Sequence, residues 1–259
     1  MVVADVHLGF ELELMESGIN IPSQTGRLAE SLTRLVEEHG PDRLIILGDL
    51  KHNVPTVSLQ ERMDVPEFLE RLSSMLPVEV VVGNHDGMLD MLAPPSVSIR
   101  PSRGVVLSDG DGRVGLFHGH AWPGPELLSS DVLVMAHIHP TVAFKTRFGF
   151  SLFERVWLRC VCDGRRLARA YLEYRGVKPG SDPRKTLSER FGVDVGNPRL
   201  VVMPAFNSSL GGAPVNRRVD RQLSPMLRSG ALRLERCEAY LLDGTYLGDV
   251  RHLRALVRC

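Results

Sequence analysis

The chain has 259 residues, of which 43% are hydrophobic and 24% charged, and its 31 Lys and Arg balance its 31 Asp and Glu. These values are those of an ordinary soluble globular protein with enough residues for one large domain or two small ones. No apolar run reaches the ~18 residues that a membrane span needs, and the N-terminus lacks a signal peptide's basic and then apolar segments. We therefore expect a cytoplasmic protein that does not contact a membrane.

The charge is unevenly distributed along the chain. Residues 1–99 contain 6 Lys and Arg against 16 Asp and Glu, whereas residues 100–259 contain 25 against 15. One interpretation is a basic surface for a polyanion, and residues 145–178 alone hold nine basic residues against three acidic ones. The other is a genome that favours arginine, since 27 of the 31 basic residues are Arg. Charge alone therefore permits nucleic-acid binding and does not indicate it.

In the first half of the chain, predicted strands alternate with predicted helices. A short strand precedes Asp5, and a loop or short helix covers residues 9–22. Apolar residues with a helical period predict a helix over residues 24–39, which stops at Gly40-Pro41. A strand over residues 44–47 follows, then a helix from about residue 59 to 75 and a strand over residues 78–82.

In the second half the predicted elements are mostly strands. Short elements and a hairpin turn at residues 109–112 lead to two strands that end at His118 and His137. Alternation over residues 144–174 predicts two or three antiparallel strands, with a turn at Asp163-Gly164. We further expect a surface excursion over residues 176–199 with a helix near 184–191, strands at 200–203 and near 237–242, and a short helix from Asp249.

No repeat and no low-complexity linker divides the chain. We therefore predict a single domain over residues 1–259, with a motif-bearing core at 1–142 and C-terminal strands and the surface excursion at 143–259. Cys160 and Cys162 lie too close in sequence for an easy disulfide, and Cys237 and Cys259 stand alone. We expect all four to be reduced thiols.

Five predicted strands end in side chains that bind metal or move protons. They are followed by Asp5 and His7, by Asp49, by Asn84, His85 and Asp86, by His118, and by His137 and His139. Strands of an α/β sheet that end in such groups build active sites at their carboxyl edge. The i, i+2 spacing of Asp-x-His and His-x-His points both side chains to one side of an extended segment.

This ligand set predicts two metal ions. It consists of oxygen and imidazole nitrogen without thiolate, which suits Mn(II), Fe, Zn or Ni better than copper or an iron–sulfur cluster. The candidate ligands number seven: Asp5, His7, Asp49, Asn84, His118, His137 and His139. Seven exceed what one ion uses, and two ions that share a bridging carboxylate fit better. Sites with two metals ~3.5–4 Å apart are a recurrent device for displacement at phosphorus.

The motifs resemble those of the calcineurin-like metallophosphoesterase superfamily. They are Asp-x-His, Gly-Asp, Gly-Asn-His-Asp, His-Gly-His and His-x-His, in this order between residues 5 and 139. Residues 5–10, 48–52 and 203–207 resemble a narrower group, the archaeal phosphoesterases related to SbcD-type repair nucleases and the bacterial phosphoesterases associated with DNA ligase genes. The resemblance implies an α/β fold with two mixed β-sheets packed face to face and flanked by helices, a four-layer αββα sandwich.

The resemblance also implies a role for each residue of the motifs. Asp5, His7 and His139 bind the first ion, Asp49 bridges, and Asn84, His118 and His137 bind the second. His85 is the catalytic histidine, and Asp86 orients its ring. His120 lies behind the ligands or near the substrate. From the residues themselves, we expect His52 either to reach the phosphate or to contact only solvent, and Lys51 to be a cation at the surface or at the edge of the substrate. For Asn207 we expect a structural turn.

The activity implied is that of a dinuclear metal-dependent phosphoesterase. It hydrolyses phosphodiester bonds, in nucleic acid or nucleotides, by attack of a metal-bridging hydroxide, with Mn(II) as the expected metal. The alternatives are a small-molecule phosphomonoesterase, a cyclic-nucleotide phosphodiesterase, and a scaffold without chemistry. Against the scaffold, none of the seven ligands is missing. The expected partner is a phosphate ester; nucleic acid, a second copy of the chain and a repair protein remain open.

Overall fold

The computed structural model describes residues 1–108, 110, 112–146, 148–217 and 224–257, with the backbone only for Val257. Contacts divide the chain into two compact units. The first unit is Met1–Ser102 with Phe206–Ser209, and the second is Arg103–Ala205 with Leu210–Cys259. That the chain forms a single domain stays a prediction.

The first unit contains a four-stranded parallel sheet, in which the strands follow each other in chain order. The strands are β1 (Val2–Val3), β2 (Leu44–Leu47), β3 (Val78–Val81) and β4 (Val97–Arg100), and the helices are α1 (Phe10–Glu16), α2 (Thr25–His39) and α3 (Leu59–Ser73). Every residue of β2 is buried, as its uninterrupted apolar sequence predicts. These elements confirm the predictions for this half of the chain.

Local sequence signals set the bounds of the two long helices. In α2, Leu28, Leu32 and Val36 form the buried stripe, and the helix ends at Gly40 with a left-handed φ of 54°. The helix α3 begins after Ser58, whose hydroxyl accepts a hydrogen bond from the Glu61 backbone N–H while the Glu61 carboxylate accepts one from the Ser58 N–H. This reciprocal capping fixes where α3 starts.

The second unit contains a mixed sheet that, in the part of the chain described, has nine strands. The strands are β5 (Val105–Ser108), β6 (Arg113–Leu116), β7 (Val132–Met135), β8 (Pro140–Lys145), β9 (Ser151–Val161), β10 (Arg199–Val202), β11 (Ala213–Pro214), β12 (Glu238–Leu241) and β13 (Tyr246–Asp249). The order is β11-β8-β9-β10-β7-β6-β5, and β12 pairs with both β9 and β13. Its helices are α4 (Gly164–Tyr174), α5 (Pro183–Phe191), α6 (Pro225–Arg228) and α7 (Val250–Val257).

The predicted fold class is confirmed: the chain is α/β, with two sheets and flanking helices. The strands that end before His118 and His137 and the helices near 184–191 and after Asp249 lie where the sequence predicts them. The predicted hairpin turn at 109–112 includes Asp109 and Asp111, which lie outside the described residues. Among the helices of the described residues, none is long and apolar enough to cross a membrane.

The prediction of strands throughout residues 144–174 is wrong in its second part. The strands β8 and β9 do form an antiparallel pair, but Asp163 begins α4 and is not part of a turn. The Asp163 carboxylate accepts hydrogen bonds from the N–H groups of Arg165 (3.0 Å) and Arg166 (3.1 Å). Leu167 and Tyr171 then face the core at helical spacing. The sequence reading also missed β13.

The expectation of four reduced cysteines is also wrong. Cys160 and Cys237 form a disulfide, with their Cα atoms 4.5 Å apart. The pairing of β9 with β12 brings them opposite each other, although 77 residues separate them in sequence. Cys162 is a buried free thiol, and burial raises its pKa to about 12. Cys259 lies outside the described residues.

Candidate metal centre

The segments that follow β1 and β2 run side by side and carry three of the predicted ligands. The Asp5 N–H donates to the Gly48 carbonyl (3.1 Å), and the His7 N–H donates to the Asp49 carbonyl (2.9 Å). Asp5, His7 and Asp49 are all buried. The His7 Nε2 atom lies 3.5 Å from Asp49 Oδ2. This imidazole and this carboxylate therefore lie close enough to bind the same ion.

Strained backbone marks the predicted ligands. Among the described residues, six that are not glycine have a φ in the left-handed region: Asp5 (55°), His7 (47°), Asp49 (51°), Met88 (64°), His137 (74°) and His139 (42°). Each such conformation costs a non-glycine residue roughly 1–2 kcal/mol. Five of the six are residues to which the sequence motifs assign a metal. Strain of this kind persists where function requires one side-chain direction.

Asp86 ties the ends of β2 and β3 together. Its carboxylate is buried and accepts hydrogen bonds from the N–H groups of Leu50 (2.8 Å), Lys51 (3.3 Å) and Gly83 (2.8 Å). Gly83 has no room for a side chain, because a Cβ there would collide with Asp49. The two strand ends are therefore held at a distance that only glycine permits. Asn84, next in sequence, is exposed.

His7, His52 and His85 form a cluster within the first unit. Their ring centroids are 4.7 Å apart for His7 and His85, 5.1 Å for His7 and His52, and 5.4 Å for His52 and His85. One nitrogen from each ring lies within 4.8 Å of the others, a spacing that suits a metal ion. His52 therefore contacts other side chains and not only solvent, and its contact with the phosphate stays a prediction.

The hydrogen bonds of this cluster fix the proton on each ring. Glu13 Oε2 lies 2.6 Å from His52 Nε2, and a carboxylate accepts, so His52 carries a proton on Nε2. In a neutral His52 ring, Nδ1 then accepts from His7 Nδ1, which lies 3.0 Å away. This leaves the lone pair of His7 on Nε2, the atom that faces Asp49. Histidines that bind metals are commonly oriented by such an outer hydrogen bond.

The His85 ring is held by the neighbouring backbone. Its Nδ1 donates to the His52 carbonyl, and its backbone N–H donates to Asp49 Oδ1 (2.9 Å). A carbonyl accepts only, so the Nδ1 atom of His85 carries the proton and Nε2 remains for a ligand or substrate. The structure shows the His85 ring held by the loop at His52, and the orienting role that we expected of Asp86 stays a prediction.

Lys51 and Glu61 form hydrogen bonds with the backbone of the loop at His52 and Asn53. Of the two positions expected for Lys51, the surface is wrong, because its side chain is buried and Nζ donates to the Asn53 carbonyl. The position at the edge of the substrate stays a prediction. Burial lowers the pKa of Lys51 against the opposing effect of nearby carboxylates, Glu61 first. The Glu61 carboxylate accepts from the N–H groups of His52 (3.0 Å), Asn53 (2.7 Å) and Ser58 (2.8 Å). Burial raises the pKa of Glu61, but these hydrogen bonds outweigh it and the pKa is lowered.

Asn207 has the structural role that the sequence predicted. It is buried, and its side-chain amide donates to the Val6 carbonyl (3.0 Å) while its oxygen accepts from the Ser209 N–H (3.0 Å). The Phe206 N–H donates to the Ala4 carbonyl (2.8 Å). This short segment thus braces the loop between Asp5 and His7.

The second unit carries the other predicted ligands at the carboxyl ends of its own strands. The ring centroid of His118, after β6, lies 5.0 Å from that of His137, after β7, and 5.3 Å from that of His120. His118 is fully buried. The His139 Nδ1 atom lies 3.1 Å from the Gly211 carbonyl, which accepts, so the lone pair of a neutral ring is on Nε2. Gly212 has no space for a Cβ, which would collide with the His139 carbonyl.

The donor atoms at these strand ends are of the kinds that divalent metals bind. The first unit offers the carboxylates of Asp5 and Asp49, the Asn84 amide and the imidazoles of His7 and His85, and the second unit offers the imidazoles of His118, His137 and His139. His52 has both ring nitrogens engaged, by Glu13 and by His7. Oxygen and imidazole donors suit Mn(II), Fe, Zn or Ni. The sequence reading missed Glu13 and Glu61. The signal for Glu61 was present, since Ser58-x-x-Glu61 is a capping-box pattern.

Comparison with known proteins gives one family and several solved structures. The sequence model of the calcineurin-like phosphoesterase family matches residues 1–195. The nuclease MPE of Pseudomonas putida is 20% identical over 82% of this chain and 75% of that chain, with a TM-score of 0.46. The phosphoesterase YfcE from E. coli is 25% identical over 60% and 76%, with a TM-score of 0.38. An archaeal phosphodiesterase is 15% identical over 56% and 76%, with a TM-score of 0.34. A search of curated protein sequences gives no match.

Proposed function

From the premise that this chain belongs to the calcineurin-like phosphoesterase family and is therefore a metal-dependent hydrolase, we propose that it hydrolyses phosphodiester bonds in nucleic acid or nucleotides. We further propose that it does so with two divalent ions, Mn(II) before Fe, Zn or Ni. Asp5, His7 and His139 would hold the first ion and Asn84, His118 and His137 the second, with Asp49 shared.

The backbone conformation at the ligands is the observation that carries this proposal. Five of the seven proposed ligands have a left-handed φ, although none of them is glycine. The strained conformation occurs at Asp5, His7 and Asp49 in the first unit and at His137 and His139 in the second. Packing alone gives no reason for strain that falls on these residues.

The protein's own contribution to catalysis is the orientation of its rings. When bound, the two ions supply an acidified water as nucleophile and neutralise the charge that builds on the phosphate oxygens. Hydrogen bonds run from Glu13 through His52 to His7 and keep the lone pair of His7 on Nε2. Nε2 is the nitrogen through which His7 would bind a metal ion. His139 is set in the same way by the Gly211 carbonyl.

His85 is the proposed catalytic residue. Since Nδ1 donates to the His52 carbonyl, only Nε2 can act on the substrate. In the protonated ring Nε2 carries a hydrogen and donates it to the leaving oxygen of the ester. The ring is half-buried, which leaves it open to a substrate.

The experiment is a substrate panel with Mn(II): bis-p-nitrophenyl phosphate, p-nitrophenyl phosphate, a 2′,3′-cyclic nucleotide, and single- and double-stranded DNA. We expect the bis-ester and at least one nucleic-acid or nucleotide substrate to be hydrolysed faster than the mono-ester. Turnover of the mono-ester alone would contradict the proposal. His85→Asn should lower turnover of the bis-ester at least 100-fold. His39→Asn, an exposed histidine on α2, is the matched control and should leave turnover unchanged.

Location and partners are also part of the proposal. We propose that the protein acts in the cytoplasm, where nucleic acids and nucleotides are present. A second copy of the chain or a repair protein is a proposed partner. Size-exclusion chromatography with light scattering tests the first of these partners, and a mass of one chain at micromolar concentration would contradict it.

A further inference from the structure

The second unit contains a cavity lined by five arginines. Its volume is about 1040 Å³, and its walls are the end of β9, the start of α4, the start of β10 and the segment 230–238. The arginines are Arg159, Arg166, Arg199, Arg233 and Arg236, and the lining includes two carboxylates, Asp163 and Glu238. The disulfide between Cys160 and Cys237 also lines it.

Two of the five arginines have a structural partner. The Arg159 Nε atom donates to Glu238 Oε2 at 2.7 Å, and this pairing raises the pKa of Arg159. Arg166 lies 3.6 Å from the Asp163 carboxylate and donates to the Gly230 carbonyl at 3.5 Å. These contacts join the strands and the loop that form the cavity walls.

The other three arginines have no such partner. Within the described residues, no carboxylate lies in ion-pair distance of Arg199, Arg233 or Arg236, and all three side chains are exposed. Five guanidinium groups and two carboxylates leave the cavity with three positive charges in excess. Clefts lined by one sign of charge concentrate the field and attract ions of the other sign.

The lining indicates which anion fits. Guanidinium groups present planar pairs of donors that match phosphate oxygens. The volume of the cavity exceeds that of a single phosphate. No aromatic side chain of the described residues lines it, so the cavity has no surface on which bases could stack. The lining therefore matches an anion with several phosphate groups and has no group that would stack on bases.

The cavity is separate from the histidines of the same unit. Arg199 begins β10, which is parallel to β7 and pairs there with Val132, the first residue of β7. His137 follows the opposite end of β7. About 10 Å of strand, at ~3.3 Å per residue, lies between the two edges of this part of the sheet. The arginines therefore do not line the histidine edge.

We propose that this arginine cavity binds a chain of consecutive phosphate groups, as carried by a nucleic-acid strand or by a free oligophosphate. The net charge of the second unit agrees with this, since residues 103–205 and 210–259 contain 24 Lys and Arg against 15 Asp and Glu. Binding at this cavity needs no metal, so it does not depend on the proposed catalytic reaction.

The test measures binding in EDTA, with the full chain and two probes: a fluorescent 20-nucleotide single-stranded DNA, followed by anisotropy, and tripolyphosphate, followed by calorimetry. The variant is Arg199→Gln with Arg233→Gln. The matched control is Arg169→Gln with Arg190→Gln, two exposed arginines on α4 and α5 that do not line the cavity. Thermal unfolding checks that both variants are folded.

We expect the cavity variant to bind at least one probe tenfold more weakly than the wild type, and the control to stay within twofold. If DNA is the ligand, the dependence of log K on log salt should become shallower by about 1.4, at about 0.7 per phosphate contact on a single strand. Loss of tripolyphosphate binding without loss of DNA binding would identify a free oligophosphate. Equal weakening in both variants, or no binding of either probe to the wild type, would overturn the proposal.

Discussion

Replacing Glu61 by Gln tests whether the loop that positions His85 depends on a buried carboxylate. Glu61 is fully buried and accepts from the N–H groups of His52, Asn53 and Ser58 at 2.7–3.0 Å. Glutamine has a single acceptor oxygen on its side chain, so at least one N–H is left facing an NH₂ group. A lost hydrogen bond to a charged group costs about 1.5–3 kcal/mol, and the remaining ones weaken when the acceptor is neutral. We expect the free energy of unfolding to fall by about 2–4 kcal/mol.

The stabilisation by Glu61 should depend on pH in a definite direction. The pKa of Glu61 is lowered in the folded state, so its stabilisation is fully present above its ordinary value of 4.5 and is lost as the pH falls through the folded pKa. Urea unfolding of wild type and variant should therefore differ at pH 7, begin to converge below pH 4.5 and become similar once the pH is below the folded pKa. Glu70→Gln, an exposed carboxylate on the same helix, is the control. A difference below about 0.5 kcal/mol at pH 7, or one that is constant with pH, would refute the reasoning.

Two further predictions concern the histidine cluster and the disulfide. His52→Ala removes the acceptor of His7 Nδ1, and we expect the affinity for Mn(II) to fall about 10–100-fold in a metal titration, as for other outer hydrogen bonds; unchanged affinity would contradict the orienting role. Cys160→Ser removes the disulfide, and we expect a loss of about 2–4 kcal/mol of unfolding free energy relative to oxidised wild type. The two proteins should be equally stable in dithiothreitol, and a difference that persists there would mean that the disulfide is not its source.

The sequence predicts the elements of the first unit well because each depends on local signals. The strand β2 is apolar on both faces, and α2 combines a buried stripe with a glycine at its end. The ligand motifs are also local, since each follows directly on a strand. The sequence therefore places Asp5, Asp49 and His137 at strand ends, where the structure has them.

The errors arise where a local pattern has two meanings or where the partner is distant in sequence. Asp163-Gly164 suits a turn and a helix start equally, and the buried residues that follow it decide for the helix. The Cys160–Cys237 pair depends on the register of β9 with β12, which no spacing reveals. Lys51 follows a motif and is charged, which suggests exposure, yet carboxylates around it allow it to be buried.

The metal content of the purified protein tests the central claim most directly. The protein is incubated with Mn(II) and free metal is removed, and the bound manganese is then measured by inductively coupled plasma mass spectrometry. We expect two manganese ions per chain for the wild type and for His85→Asn. Asp49→Asn replaces the carboxylate of the proposed shared ligand with a neutral amide, and this variant should retain fewer than one manganese ion per chain. Wild-type protein that holds fewer than one ion, or Asp49→Asn that still holds two, would contradict the account.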